Sequence, residues 1–265
     1  LSCPVSYVEQ VIIGNKGVDS EASLRGTAVH EFLSEYVRYL VKNRFTQDAE
    51  HFDALLEGLR VDAIELVEPL RDTFKIDPEA VLGTEHYIAL NENFRPCGPQ
   101  GAHYEMTLDL LTLIDAAHAR IDDYKSNFKT FEADTFQVKL YALGVFSIMA
   151  DVEEVEFVLQ FVRWNRDKRV KFTRADVPAL QKEARLWRAV QVQLHENNGF
   201  AIMGTDVPAL PGSHCVYCPL LGAGCPIEAN PYKDPVGQLR NVLYFRAALK
   251  KAEEAVRSNA DRLGP

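Results

Sequence analysis

What this 265-residue sequence lacks narrows its function before any motif is read. No apolar run approaches the length of a membrane span, so no membrane partner is expected. There is no basic excess. The formal net charge of -9 argues against a protein that holds nucleic acid through bulk positive charge, so any DNA contact has to come from a local patch. An acidic balance leaves room for a metal-dependent enzyme, whose site must itself be acidic. There is no G-x-x-x-x-G-K-[ST] loop, hence no obvious motor. Internal repeats and low-complexity tracts are also absent. Cysteine is scarce, and an odd count of five does not suggest a secreted disulfide framework. A reducing, cytoplasmic compartment is expected. No signal peptide is visible. The opening at Leu1 rather than Met leads us to expect a missing start or a domain of a longer protein.

Apolar residues make up 47% of the chain, enough for a substantial core without staples. Residues 20–43 read as a helix: Ser20 can cap it, and Leu24, Ala28, Phe32, Tyr36 and Leu40 recur every four residues. A second helical region is expected over about 48–74. "TEHYIAL" (84–90) alternates like a strand, and a Pro/Gly-rich loop over 93–104 separates it from "EMTLDLLTLID" (105–115). "AAH" is a turn into "ARIDDYKS", which makes the second and third strands a hairpin. "ADTFQVKLYALGVFSIMA" (133–150) is apolar nearly all round and reads as a buried helix. A strand over 152–164, a short basic strand ending near Phe172, and a helix capped by Asp176 follow. A Pro/Gly/Cys-rich stretch (204–235) and a charged helix (236–262) close the chain. This order predicts a mixed α/β domain flanked by helices.

The short strand "ARIDDYKSNF" holds charges that strands seldom bury without a partner. Asp123 and Lys125, two apart, point to one face, while Asp122 and Tyr124 point to the other. Asp109 on the preceding strand comes within reach of Asp123 if the two strands pair. Two carboxylates that close repel unless a cation sits between them. Oxygen ligands favour Mg²⁺ or Mn²⁺ over zinc. A lysine beside them can orient or help deprotonate a water and stabilise a negative transition state. Alone, a D-x-K triplet is more often an ordinary surface ion pair. Asp115 competes for the role of first carboxylate, but only eight residues separate it from Asp123.

"TLDLL", then "DDYKS" with its Asp fourteen residues beyond Asp109, then "QVKLY", resembles the RecB-like branch of the PD-(D/E)XK nucleases. "RGTAVH" adds the G-x-x-x-H setting of that branch through Gly26 and His30. The resemblance spans His30 to Tyr141 in the family's order. Met106 stands where the family usually has glycine, three residues before the first Asp. The likeness implies a restriction-endonuclease-like core, a mixed central sheet flanked by helices, with a helical N-terminal insertion and a C-terminal cysteine loop. It implies that Asp109 and Asp123 bind metal and that Lys125 activates water. His30 and the backbone carbonyl of Tyr124 become further metal ligands. Gln137 and Tyr141, on one helix face at i, i+4, support the site or touch DNA, and Glu85 matches an acid often found in the first strand. Residues 1–265 are then one nuclease domain, with N-terminal helices over 20–75, a core over 81–175 and the cysteine loop over 204–235.

"SHCVYCPLLGAGCP" reads C-x₂-C-x₆-C, and Cys3 also precedes a proline. Cys3, Cys215, Cys218 and Cys225 form an S₄ set suited to zinc or to an iron–sulfur cluster. His214 keeps the zinc alternative open. The layout resembles AddB-type and CRISPR-adaptation nucleases of the same branch, with one cysteine before the core and three after it, which implies a [4Fe–4S] cluster. Such a centre would close a loop of more than two hundred residues and act as a staple. Cys97 is a bystander in this reading.

"RWNRDKRVKFTR" (163–174) offers a cationic strip with an aromatic. Arg163, Trp164, Arg166, Lys168, Arg169 and Lys171 could track a phosphate backbone and stack a base. A solvated hairpin is the ordinary alternative. The sequence thus predicts a Mg²⁺/Mn²⁺-dependent DNase, an exonuclease on single-stranded or unwound DNA, in repair, recombination or related processing with a possible helicase partner. The alternatives are a catalytically inactive structural or DNA-binding subunit of a helicase–nuclease assembly and, more weakly, a zinc-ribbon module.

Overall fold

The computed structural model describes residues 21–126, 135–196, 215, 218–221, 225, 242–246 and 248. The chain divides into two compact units, Ser20–Leu186 and a second one formed by the remainder.

The first unit is built on a five-stranded sheet in the order β1 (Val81–Leu90), β2 (Tyr104–Asp115), β3 (His118–Lys125), β4 (Glu154–Phe161), β5 (Arg166–Thr173). All neighbours are antiparallel except β3 and β4, which run parallel. A parallel pair needs a crossover, and the helix Phe136–Ile148 lies between those two strands in the chain. The architecture is the mixed sheet with helical flanks that the element order implies.

Before the sheet come α1 (Glu21–Asn43), α2 (Ala49–Leu56) and α3 (Val61–Val67); the crossover helix is α4, and α5 (Val177–Glu196) follows β5. The single helical region expected over 48–74 is broken into pieces. Gly58, a poor helix former, sits in the turn after α2, and Pro69 falls in a 3₁₀ turn after α3. Asp48 caps α2 by accepting the His51 N–H at 3.0 Å. Asp176 does not cap α5. It reaches back to the Thr173 N–H at 2.7 Å in a capping box that starts a short 3₁₀ turn, and α5 begins at Val177.

One apolar core joins the sheet to α4 and α5, through Ile88, Leu108, Ile121, Val145, Phe157 and Leu180 among others. A second core joins α1, α2 and α3 to Leu110, Tyr124 and Val162. Arg174 ties the end of α4, donating to the carbonyls of Met149 (2.7 Å), Phe146 and Val152. A cation suits a helix C-terminus, where carbonyls lack intrahelical partners.

In the second unit, Cys215 and Cys218 are buried and Cys225 is half-buried. Backbone turns link them: the Cys218 N–H donates to the Cys215 carbonyl at 3.0 Å, and the Cys225 N–H donates to the Leu220 carbonyl at 3.2 Å. Residues 242–246 are helical, within the helix expected over 236–262. Cys3, His214 and most of the last helix lie outside the described residues. Among the described residues, no helix is long and apolar enough to cross a membrane.

Candidate metal centre

Strand register sets the site. Thr84 pairs with Leu110 and His86 with Leu108, while Leu110 pairs with Asp122 across the next ladder. Glu85, Asp109 and Asp123 are therefore level on three adjacent strands. Helix α1 crosses above them. Its Gly26 lies so near β3 that an added Cβ would sit 3.4 Å from the Ser126 hydroxyl. The His30 Nδ1 is 3.3 Å from Asp109 Oδ2, and Ser34 accepts a hydrogen bond from the Thr84 hydroxyl at 2.9 Å. Four helical residues rise about 6 Å and strands lie about 4.8 Å apart, so each turn of α1 meets the next strand.

Asp109 is fixed from two sides: its Oδ2 also accepts the Tyr124 backbone N–H at 2.7 Å. The Tyr124 ring, buried, stands edge-on to His30 with centroids 6.4 Å apart. Glu85 has φ 50°, a left-handed backbone inside a strand, and non-glycine residues in that conformation cluster where function demands it. Its carboxylate joins the imidazole of His30 and the carboxylate of Asp109 with ligand atoms all within 4.8 Å of one another. Asp123 and Lys125 adjoin this group, with Lys125 Nζ 2.6 Å from Asp123 Oδ2. That oxygen is buried, and the Lys125 ammonium is the cation set against it.

The electrostatics describe a site short of positive charge. Burial pushes the Asp123 carboxyl above its usual range; Lys125 pulls it down, Asp109 pushes it up, and the rise prevails. Burial and the Asp109 charge likewise raise Glu85. Burial alone would lower His30, but the hydrogen bond and charge of Asp109, with the charge of Asp123, raise it. Crowded carboxylates of this kind are relieved by a proton or a cation. Glu85, Asp109 and His30 offer two carboxylates and one imidazole, a donor set that fits a hard divalent ion such as Mg²⁺ or Mn²⁺; Asp123 lies outside that set and adds a third carboxylate beside it.

On α4 the Gln137 amide donates to the Tyr141 hydroxyl at 2.7 Å. Burial pushes that phenol up to about 12, and the charges of Asp123, Asp109 and Glu85 act in the same direction, so the ring lies in the field of the acids. Met106, the departure from the family glycine, lies against α4 at Gly144, where an added Cβ would overlap its sulfur. The small residue is on the helix instead of the strand.

Asp122 points away from this group. Its Oδ1 accepts from Arg120 Nε at 3.0 Å, from the same guanidinium again, and from Gln160. The competitor Asp115 ends β2 at the hairpin turn, accepting the Ala117 N–H at 2.9 Å and bound to His118 at 2.7 Å. The basic segment follows the far edge of the sheet and does not join the acids. Lys171 pairs with Glu154 at 2.7 Å and Arg169 with Asp167 at 2.6 Å. Burial and the nearby Arg25 charge lower Arg163. Trp164 is 47% exposed, and Arg166 is exposed. Lys168 is level with Asp123 and Arg166 with Lys125, each two strands away.

Sequence reading missed the Tyr124 N–H, the Ser34–Thr84 bond and the left-handed Glu85. Only the first two had a signal: strand pairing for Tyr124, and the four-residue spacing of 26, 30 and 34 for the crossing of α1.

Fold and site together define a class, a mixed α/β core with a candidate acidic metal site over one end of its sheet. Residues 1–223 match the model of the PD-(D/E)XK nuclease superfamily, and the chain belongs to that superfamily. No curated protein matches. Solved structures that match include the crystal structure of SSO0001, at 12% identity over 83% of this chain and 94% of that one, with a TM-score of 0.28.

Proposed function

We propose that this chain is a divalent-metal-dependent DNase, an exonuclease of the RecB-like, AddB-like branch acting on single-stranded or unwound DNA. The observation that carries it is the meeting of His30, Glu85 and Asp109 within 4.8 Å, beside the Asp123–Lys125 pair. The motif order from Gly26 to Tyr141 supports the branch, and with it the exonuclease reading and service beside a helicase or recombination partner.

His30, Asp109 and Asp123 hold Mg²⁺ or Mn²⁺, with Glu85 and the Tyr124 carbonyl as further ligands. The bound ion supplies Lewis-acid stabilisation of charge on the scissile phosphate. The residues do the rest. Asp123 holds the Lys125 ammonium, whose protons orient the attacking water and meet the negative charge that grows on the phosphoryl oxygens. Water adds to phosphorus and releases one proton to solvent, the P–O bond to the leaving sugar breaks, and that oxygen takes a proton back from solvent. Tyr124 N–H and His30 keep Asp109 aimed. Gln137 holds the Tyr141 hydroxyl beside the acids as a second support.

We also propose that Cys3, Cys215, Cys218 and Cys225 bind a [4Fe–4S] cluster that staples the beginning of the chain to its C-terminal third. The buried turn of Cys215 and Cys218 supports it. In this reading Arg163, Trp164, Arg166 and Lys168 guide the strand, with Arg169 and Lys171 exchanging acid partners for phosphates.

The test is anaerobic purification with metal analysis, then Mn²⁺-dependent degradation of end-labelled single strands. Iron, sulfide and a brown colour are expected, with activity lost in Lys125→Ala. Lys125→Ala at wild-type rate refutes the site, and a colourless protein with stoichiometric zinc refutes the cluster.

A further inference from the structure

A groove leads out of the candidate centre along α1. His30, Ser34 and Arg38 succeed one another on one side of it, opposite Glu85, and Glu31 and Glu35 line the same helix. Ser34 is engaged by Thr84. Arg38 is exposed, and its charge is felt at Glu85. Three carboxylates share its groove, yet among the described residues none is within ion-pair distance of it. A bidentate guanidinium–carboxylate pair is the strong geometry for an arginine, and Arg38 makes none with the acids that line its groove. This guanidinium is left facing the groove.

Eight helical residues separate Arg38 from His30, about 12 Å along α1. That is too far to touch the phosphate being cut and within reach of one a few nucleotides away. Without a divalent ion the groove is net negative and repels a nucleic-acid strand. With the ion bound, Arg38 becomes a second cationic point on the same path.

We infer that the α1 groove is the channel for the single-stranded segment next to the cut, and that Arg38 holds a backbone phosphate there. This rests on the nuclease reading, which it extends by naming a strand path and its anchor. A guanidinium on a phosphate is sequence-independent, so Arg38 governs affinity and register, not base preference.

The experiment uses the full chain and a fluorescent oligonucleotide with non-cleavable phosphorothioate linkages, followed by anisotropy with Mn²⁺ across a salt series. Arg38→Ala is expected to weaken binding about tenfold and to reduce the slope of log affinity against log salt by about one, with Arg38→Lys restoring most of the slope. Binding to wild type is expected to vanish in chelator. One neutral methylphosphonate, moved along the strand, is expected to erase the Arg38→Ala effect at a single linkage. A folded Arg38→Ala with unchanged affinity and slope overturns the inference, even if the enzyme cleaves. Arg38-dependent binding without any cleavage by wild type keeps the channel and overturns the nuclease reading. No binding by wild type with Mn²⁺ overturns both.

Discussion

Two neighbouring acids on β3, buried almost equally, face opposite sides of the sheet and have opposite surroundings. Asp122, 3% exposed, receives three donor contacts from Arg120 and Gln160. Asp123, 2% exposed, has one ammonium beside it and two further acids level with it on β1 and β2. Burial penalises both charges. On one face three donor contacts offset part of that penalty, although burial still holds the Asp122 carboxyl above its usual range. On the other face one ammonium and two neighbouring acids leave a surplus of negative charge that a divalent ion would neutralise. A buried acid is therefore informative through its partners, not through its burial.

The comparison breaks most visibly in activity. Asp123→Ala is expected to lower Mn²⁺-dependent cleavage about 10³-fold while the melting temperature holds, because the charge it removes is already disfavoured by burial. Gel quantification of end-labelled strands, with calorimetry on the same preparation, checks both halves. Asp122→Ala is expected to do the reverse. Three donors lose their acceptor, stability drops by about 2 kcal/mol, and cleavage at a temperature where the variant is folded stays within a few-fold of wild type. Denaturant titration measures the first effect.

The pH dependence of stability sharpens the difference between the metal-free and loaded protein. Folded pKa values of Glu85, Asp122, Asp123 and His30 are all raised, so the native state keeps protons that the unfolded chain has released. Stability of the metal-free protein therefore falls as pH rises through those values, and it melts higher at about pH 5.5 than at about pH 7.5. Saturating Mn²⁺ binds the ionised forms and reverses that slope. A metal-free protein that melts higher at the upper pH contradicts this electrostatic picture. The smallest effect concerns the backbone. Glu85→Gly relieves the left-handed strain and gains or keeps stability within about 1 kcal/mol, while Glu85→Gln keeps the strain. Both lose Mn²⁺ affinity by calorimetric titration.

Much of this was legible in the sequence because it rests on periodicity. The two-residue repeat puts Asp123 and Lys125 on one face, and the hairpin brings Asp109 level with Asp123. The four-residue apolar rhythm of α1 and the all-round apolarity of α4 fix their layers. What was not legible depends on register and three-dimensional fit. Nothing local marks Glu85 as left-handed. Met106 reads as a departure until Gly144 is found against it. The cationic look of residues 163–174 omits Glu154, which the neighbouring strand brings to Lys171. Cysteine spacing predicts a metal-binding set, and Cys3 falls outside the described residues, so its place as fourth ligand is read from sequence layout.

The most direct test sets the two faces of β3 against each other in one assay: initial rates of Mn²⁺-dependent hydrolysis of an end-labelled single strand by wild type, Asp122→Ala and Asp123→Ala, each at a temperature where it is folded. The account predicts that wild type and Asp122→Ala cleave at similar rates and that Asp123→Ala falls to background. Cleavage by Asp123→Ala at the wild-type rate contradicts it.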